Sequence, residues 1–193
     1  MRDAVDLILA SASPRRRELL ALTGLRFEID APDVDEHTGL GAKAAVQELS
    51  RRKALAGAAR HPGQVVLAAD TLVAIDDRPL GKPADEVDAC RMLRALADRW
   101  HQVCTGVTCV DRDGGIHSGV DVSDVRFGPM TDEEIEAYVR TGEPMDKAGA
   151  YALQGGAALY IEEMRGSPSG VIGLPMHLTR ELLLCCGLTP LKG

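Results

Sequence analysis

The residues of this sequence that could do chemistry fall into four groups. Ser11, Ser13, Arg15 and Arg16 stand where a short apolar run gives way to a helical pattern opened by Pro14. A helix N-terminus presents unpaired N–H groups and the positive end of the dipole, which suits a phosphate. Arginine adds a fork that grips phosphate oxygens in pairs. Asp70 and Thr71 follow the strongly apolar run 64–69. A carboxylate at the carboxyl end of a buried strand lies where α/β sheets place ligands. Asp33, Asp35 and Glu36 follow another strand-like run. If the two strand ends converge, these carboxylates and Asp70 form a cluster for a hard cation such as Mg²⁺. Lys82, Lys147 and Gln154 sit in loops, and the Gln154 amide carries both a donor and an acceptor with which to read a base edge.

Several cations, clustered carboxylates, hydroxyls and glycines, with no Ser-His-Asp or Cys-His arrangement, are what a metal-bound polyphosphate needs. Catalysis on such a ligand is mostly positioning and charge neutralisation. Each group also has a plainer reading: Asp70 in a strand-end turn, the acidic run as a solvated loop, the loop lysines as exposed, Gln154 bonded to its own backbone. Neither a GxxxxGK[ST] phosphate loop nor a GxGxxG dinucleotide fingerprint occurs.

Short apolar runs alternating with helical patterns predict a mixed α/β fold. Strands are expected over 6–10, 26–31, 64–69 with a continuation over 72–76, 102–111, 116–127 and 158–162. Turns are expected at 76–79 and 113–115. Helices are expected over 14–22, 42–60, 84–99, 131–140 and from 173 onward. Thr131 and Glu134 have the spacing of a capping box, and residues 146–156 read as a glycine-rich loop. On the long helix Ala42, Val46, Leu49 and Ala56 share an arc, with Lys53 in its middle. A lysine there is either a snorkelling stem at the core edge or a cation aimed into an anion site. On the helix over 84–99, Val87, Cys90, Leu93 and Leu96 are expected to be buried.

Composition narrows the partners. A net charge of -7 opposes general nucleic-acid binding. No apolar run is long enough to span a membrane, and residues 1–17 lack the pattern of a signal peptide. The five cysteines form no zinc pattern and read as reduced, mostly buried thiols. Aromatic residues make up only 3%, so the core must be aliphatic. The length fits one domain over residues 1–193.

Three stretches carry a family resemblance: LILASASPRRRELL (7–20), VLAADTLVAIDDRPLGKP (66–83) and EPMDKAGAYALQGGAALYIEEMRGSPSGVIGLP (143–175). In order and spacing they resemble the Maf family of nucleoside triphosphate pyrophosphatases. The resemblance implies a fold like that of the Maf and inosine-triphosphatase proteins, an elongated mixed sheet flanked by helices, with two lobes around a substrate cleft. It implies hydrolysis between the α- and β-phosphates, Mg²⁺ or Mn²⁺ as cofactor, a cytoplasmic setting, a homodimer, and for some members a link to septum formation. It makes Asp70 the general base or a metal ligand, and has Lys53 and Lys82 hold the triphosphate. Ser11 and Ser13 line the end of that triphosphate, and Arg16 joins the substrate-binding set. Arg15, Thr71 and Gln154 set base preference, in the manner of the branch acting on dTTP and UTP. Asp35 matches a position where the family more often has glutamate, so Asp35 and Glu36 both stand as the second carboxylate. The rival readings are the 7-methyl-GTP branch, a nucleotide-binding regulator without turnover, and a phosphoesterase with Asp70 as nucleophile.

Overall fold

The computed structural model describes residues 5–191. The ends of the expected 1–193 domain, and the part of the signal-peptide reading that rests on residues 1–4, lie outside the described residues. The elements run β1 (Leu7–Leu9), α1 (Pro14–Ala21), β2 (Phe27–Ile29), α2 (Ala42–Arg60), β3 (Val65–Ile75), β4 (Arg78–Leu80), α3 (Glu86–Leu96), β5 (Trp100–Val110), β6 (Ile116–Phe127), α4 (Asp132–Val139), β7 (Ile161–Arg165), α5 (Pro168–Ile172) and α6 (Met176–Cys185). Of three short 3₁₀ turns, Ala148–Ala150 lies within the expected glycine-rich loop 146–156, and Glu143–Asp146 and Gly156–Leu159 bracket it.

The strands form one seven-stranded mixed sheet in the order β2-β1-β3-β5-β6-β7, with β4 pairing to β3. β1 is parallel to both neighbours, and every other pairing is antiparallel. A central parallel strand is covered on both faces and reads as a continuous apolar run, and Leu7, Ile8 and Leu9 are fully buried. The chain leaves β1 through α1 toward β2 and returns through α2 to β3 on the other side. That reversal opens a crevice at the carboxyl end of β1.

Two apolar cores meet the same face of the long strands. One gathers Leu67, Ala69 and Val107 with Leu20, Leu182 and Leu183 from α1 and α6. The other gathers Val73 and Val103 with Met92, Leu93, Leu96, Ile135 and Phe127. Between them, on that face, sit the paired Thr71 and Thr105. On the opposite face α2 packs Ala54 against Ile8, Val66 and Ala68, and Val46 against Ala74 and Cys104. Between these two patches lie the paired Asp70 and Gly106. A polar gap thus separates the two apolar cores on one face of the sheet and the two α2 patches on the other.

Several local expectations are corrected. β3 is one continuous strand, so Asp70 lies inside it and not at its end. The expected turn at 76–79 tightens to Asp76 and Asp77, both at positive φ (50° and 61°), the conformation of a two-residue hairpin turn. Arg78 and Pro79 belong to β4. α3 begins after Asp85, whose side chain accepts the Asp88 N–H at 2.8 Å. Val87 in its first turn is 77% exposed and Cys90 half-buried, because the buried arc runs through Ala89, Met92, Leu93 and Leu96. Ala56 of α2 shares the arc of Ala42, Val46 and Leu49 but is only half-buried, the buried positions near that end of the helix being Ala54 and Gly57. β7 starts at Ile161, since residues 156–159 coil into a 3₁₀ turn that leaves Leu159 exposed. The expected capping box at Thr131 and Glu134 is present. Of the cysteines, only Cys104 and Cys109 are buried; Cys90 and Cys186 are half-buried and Cys185 is exposed.

His101 is buried among the few aromatics. Its Nε2 is 2.7 Å from the Tyr151 hydroxyl, and its ring meets Phe127 and Tyr151 edge-on. Burial, aided by the charge of Arg99, pushes its pKa down from 6.5 to about 4. The unfolded chain therefore takes up a proton near pH 6.5 that the folded chain refuses until about pH 4. Stability from this group is complete above the upper value and lost as pH falls toward the lower, by about 3 kcal/mol. Urea unfolding across that window should show a flatter pH dependence for His101→Gln than for the parent.

Candidate functional site

A cleft of about 930 Å³ opens at the carboxyl end of β1, lined by residues from the α1 N-terminus, α2, β3 and the 146–154 turns. β1 stops at Leu9, opposite Leu67, and β4 pairs with β3 only from Val73, so β3 passes Asp70 with no strand neighbour on that side. Asp70 therefore faces the crevice from mid-strand. It lines the cleft as a strand-end carboxylate would, but the strand that ends there is β1.

Lys53, two turns beyond Val46 on α2, brings its Nζ to 2.6 Å from Asp70 Oδ1 and 2.7 Å from Glu36 Oε1. Its side chain is 14% exposed. Two carboxylates meet its charge, which is why a lysine is tolerated on the apolar arc of α2. The hydrogen bond from Lys53 holds the Glu36 carboxyl below its usual range, and the charges of Lys53, Lys82 and Arg16 pull the same way. Asp35, one residue earlier, is turned elsewhere. Its Oδ1 accepts the His37 N–H at 2.9 Å, its carbonyl accepts from Arg52, and its side chain is not on the cleft wall. Aspartate readily closes such a local turn on the backbone two residues ahead. Of the two candidate carboxylates, the structure brings Glu36 to Asp70.

On the other face of β3, Thr71 and Thr105 share a 2.9 Å hydrogen bond, and Thr105 donates to the Gly170 carbonyl at 2.9 Å. Arg16 ties this pair to the first turn. Its Nε donates to the Gly173 carbonyl (2.9 Å), Nη1 to Ser11 Oγ (3.2 Å) and Nη2 to Thr71 Oγ1 (3.1 Å). Burial pulls its pKa down, the charge of Asp70 opposing that shift, but a guanidinium keeps its proton in any protein. Arg16 thus spends three of its five donors joining α1, β3 and the α5–α6 turn. Ser11 Oγ also accepts the Ser13 N–H at 3.3 Å. Arg15, Lys82 and Gln154 line the cleft with no side-chain hydrogen bond or ion pair among the described residues. Lys147 is committed to Asp146 and to the Glu143 carbonyl.

Glu143 escaped the sequence reading. Its Oε1 accepts the Tyr138 hydroxyl at 2.6 Å, and both its oxygens accept the Gly156 N–H at 3.1 Å. Burial and this carboxylate push the Tyr138 hydroxyl pKa up. The turn that presents Gln154 is pinned from beneath. Glu143→Ala leaves a phenol and an amide unsatisfied, at about 1–3 kcal/mol. If that energy is what holds the turn, KM should rise about tenfold with kcat nearly unchanged, and Glu143→Gln should recover part of it. Steady-state kinetics on the two variants checks this. Thr105, Gly106 and the Gly173 carbonyl also escaped notice. Only Gly106 left a signal, a glycine inside an apolar strand.

Among the described residues no three His, Cys, Asp or Glu side chains gather as a metal cage. Asp70 and Glu36 each keep one oxygen without a protein partner among the described residues. Two carboxylates with substrate phosphates completing the shell is a donor set that Mg²⁺ accepts. The residues present fit such a cation arriving with its ligand.

A cleft at a sheet reversal, with paired carboxylates on a shared lysine at its floor and uncommitted cations at its rim, defines a protein built to take a polyanion. The chain belongs to the Maf-like protein family, whose model matches residues 6–185. It is 49% identical over 190 residues to a dTTP/UTP pyrophosphatase of Symbiobacterium thermophilum, covering 97% of each chain. It is 49% identical over 173 residues to one from Geobacter sulfurreducens (88% of this chain, 91% of that one) and 46% identical over 193 residues to one from Aromatoleum aromaticum (92% and 93%). Among solved structures, a HAM1 protein from Coxiella burnetii aligns with 64% of this chain and 73% of its own at 17% identity and a TM-score of 0.44.

Proposed function

We propose that the protein hydrolyses nucleoside triphosphates between the α- and β-phosphates, with dTTP and UTP as substrates, releasing the monophosphate and pyrophosphate. The observation that carries this is Asp70, with one oxygen on Lys53 at 2.6 Å and the other open to a cleft whose rim holds Arg15, Lys82 and Gln154. The names of the relatives, all dTTP/UTP pyrophosphatases, support the pyrimidine branch over the 7-methyl-GTP branch. A pocket that accepts the thymine ring separates it only weakly from uracil, since one methyl is worth about 1–3 kcal/mol of discrimination. Both substrates therefore belong to the reading.

In this reading Asp70 takes the proton of a water attacking the α-phosphorus. The new phosphorus–oxygen bond forms as the bond to the bridging oxygen breaks, and the electron pair leaves on pyrophosphate. Lys53 fixes the Asp70 carboxylate and faces the phosphates, and Lys82 neutralises the departing oxygens. Arg15 and Gln154 orient the nucleoside, and Ser11, Ser13 and the α1 N-terminus line the end of the phosphate chain. Arg16 and Thr71 hold that wall in register. Asp70 and Glu36 would hold a divalent cation, Mg²⁺ or Mn²⁺, which when bound supplies charge neutralisation at the phosphate oxygens. A homodimer in the cytoplasm goes with this reading. No helix among the described residues is long and apolar enough to cross a membrane.

The test is a product assay on purified protein with each common triphosphate, with Mg²⁺, Mn²⁺ or a chelator. Cation-dependent pyrophosphate release, greatest with dTTP and UTP, is the expected result. Orthophosphate with a phosphorylated Asp70 would establish the phosphoesterase, and saturable binding without product the regulator.

A further inference from the structure

Cys109 and Cys186 lie apart from the cleft wall, yet the structure sets them face to face. Cys109 is fully buried on β5, on the face covered by α6. Cys186 caps the C-terminal end of α6, and it is half-buried. Their sulfurs are 2.9 Å apart although the residues are 77 positions apart in sequence. That is inside ordinary van der Waals contact for two sulfurs, against about 2.05 Å for a bonded pair. His117 is the register partner of Cys109 on β6, and its Nε2 is 3.0 Å from Asp111 Oδ2. One thiol is thus sealed in the core, the other is reachable from solvent, and an imidazole–carboxylate pair lies beside them.

We propose that Cys109 and Cys186 form a peroxide-oxidisable modification site, which closes into a disulfide joining the end of α6 to β5. The contact with Cys109 and the nearby His117 pull the Cys186 thiol down, while the contact with Cys186 and burial push Cys109 up. Cys186, the member of the pair that solvent reaches, is the nucleophile, the thiolate being the reactive form. Its sulfur attacks the peroxide O–O bond and becomes a sulfenic acid, and the peroxide's other oxygen leaves as water after taking up a proton. The Cys109 sulfur then attacks the sulfenic sulfur, expelling its oxygen as a second water with the Cys109 proton. Two thiols lose two electrons and two protons in all, and hydrogen peroxide is reduced to two waters. Cys185, though more exposed, has no thiol contact of its own, and a bond between adjacent residues would tether nothing.

The test is hydrogen peroxide at a few equivalents on the full chain, followed by alkylation under denaturing conditions and peptide mapping. The expected result is a fall in titratable thiols from five to three, with the Cys109 and Cys186 peptides cross-linked and the loss reversed by dithiothreitol. Cys185→Ser should show the same cross-link and Cys186→Ser none. The oxidised protein should also melt higher, because the bond closes a long loop. Retention of all five thiols, a Cys185–Cys186 bond, or Cys186 oxidised beyond sulfenic acid with Cys109 still free would each overturn the proposal. The readout is thiol chemistry, so its failure and the failure of the pyrophosphatase reading are separable.

Discussion

Asp70→Asn is expected to lower kcat by roughly two to four orders of magnitude, the range lost when a general base is removed, while the protein remains folded. Asparagine has the shape of aspartate and its carbonyl still accepts from Lys53 Nζ, now 2.6 Å from Asp70 Oδ1. Lys53 also keeps Glu36 as a charged partner. What disappears is the carboxylate proposed to take the water's proton, together with half of the charge proposed to meet a divalent cation. The melting temperature should move by only a few degrees, because Lys53 keeps a hydrogen-bond acceptor at position 70 and Glu36 as its charged partner, so no buried charge is left unpaired. The two effects are read separately, by pyrophosphate release under saturating substrate and by thermal unfolding. A folded Asp70→Asn protein that turned over at the parent rate would remove Asp70 from the chemistry altogether.

The sequence made Asp70 visible because a carboxylate closing a strongly apolar run lies where α/β sheets place ligands. It could not show what met it. Lys53 stands seventeen residues earlier on another element, and only the packing of α2 across the sheet brings the two together. The alternating apolar runs and the Thr131–Glu134 spacing are local signals, and the structure keeps them. Asp35 against Glu36 was undecidable from spacing, since adjacent loop residues point apart for reasons of backbone turn geometry, here the His37 N–H. Arg16 reads in sequence as a phosphate ligand. In three dimensions its donors are drawn to carbonyl and hydroxyl groups 157 and 55 residues away. Val87 misled because an apolar residue in a first helical turn looks like core until the buried arc is known. Long-range pairing decides each of these, and periodicity carries no record of it.

Gly106→Ala is expected to be the most damaging small substitution in the chain. Gly106 lies on β5 directly opposite Asp70. A Cβ there would stand 2.2 Å from the Val46 carbonyl oxygen, 2.5 Å from its carbon and 2.9 Å from the Gln47 nitrogen. These are backbone atoms of α2, so no side chain can swing aside, and the whole helix must lift from the sheet. Overpacking that side chains can absorb costs about 1–3 kcal/mol, and a backbone collision should exceed that. Lifting α2 also carries Lys53 away from Asp70, so the surviving folded protein should lose activity as well, about 100-fold for a displacement near 1 Å. Gly119→Ala supplies the comparison. There the added carbon meets the Leu178 side chain at 2.6 Å, the tip of a flexible group, and the cost should stay within the ordinary overpacking range. Urea unfolding of both variants, with turnover measured well below the Gly106→Ala melting point, separates lost fold from displaced lysine. Parent-like stability and turnover in Gly106→Ala would mean that α2 does not rest on this strand as the structure places it.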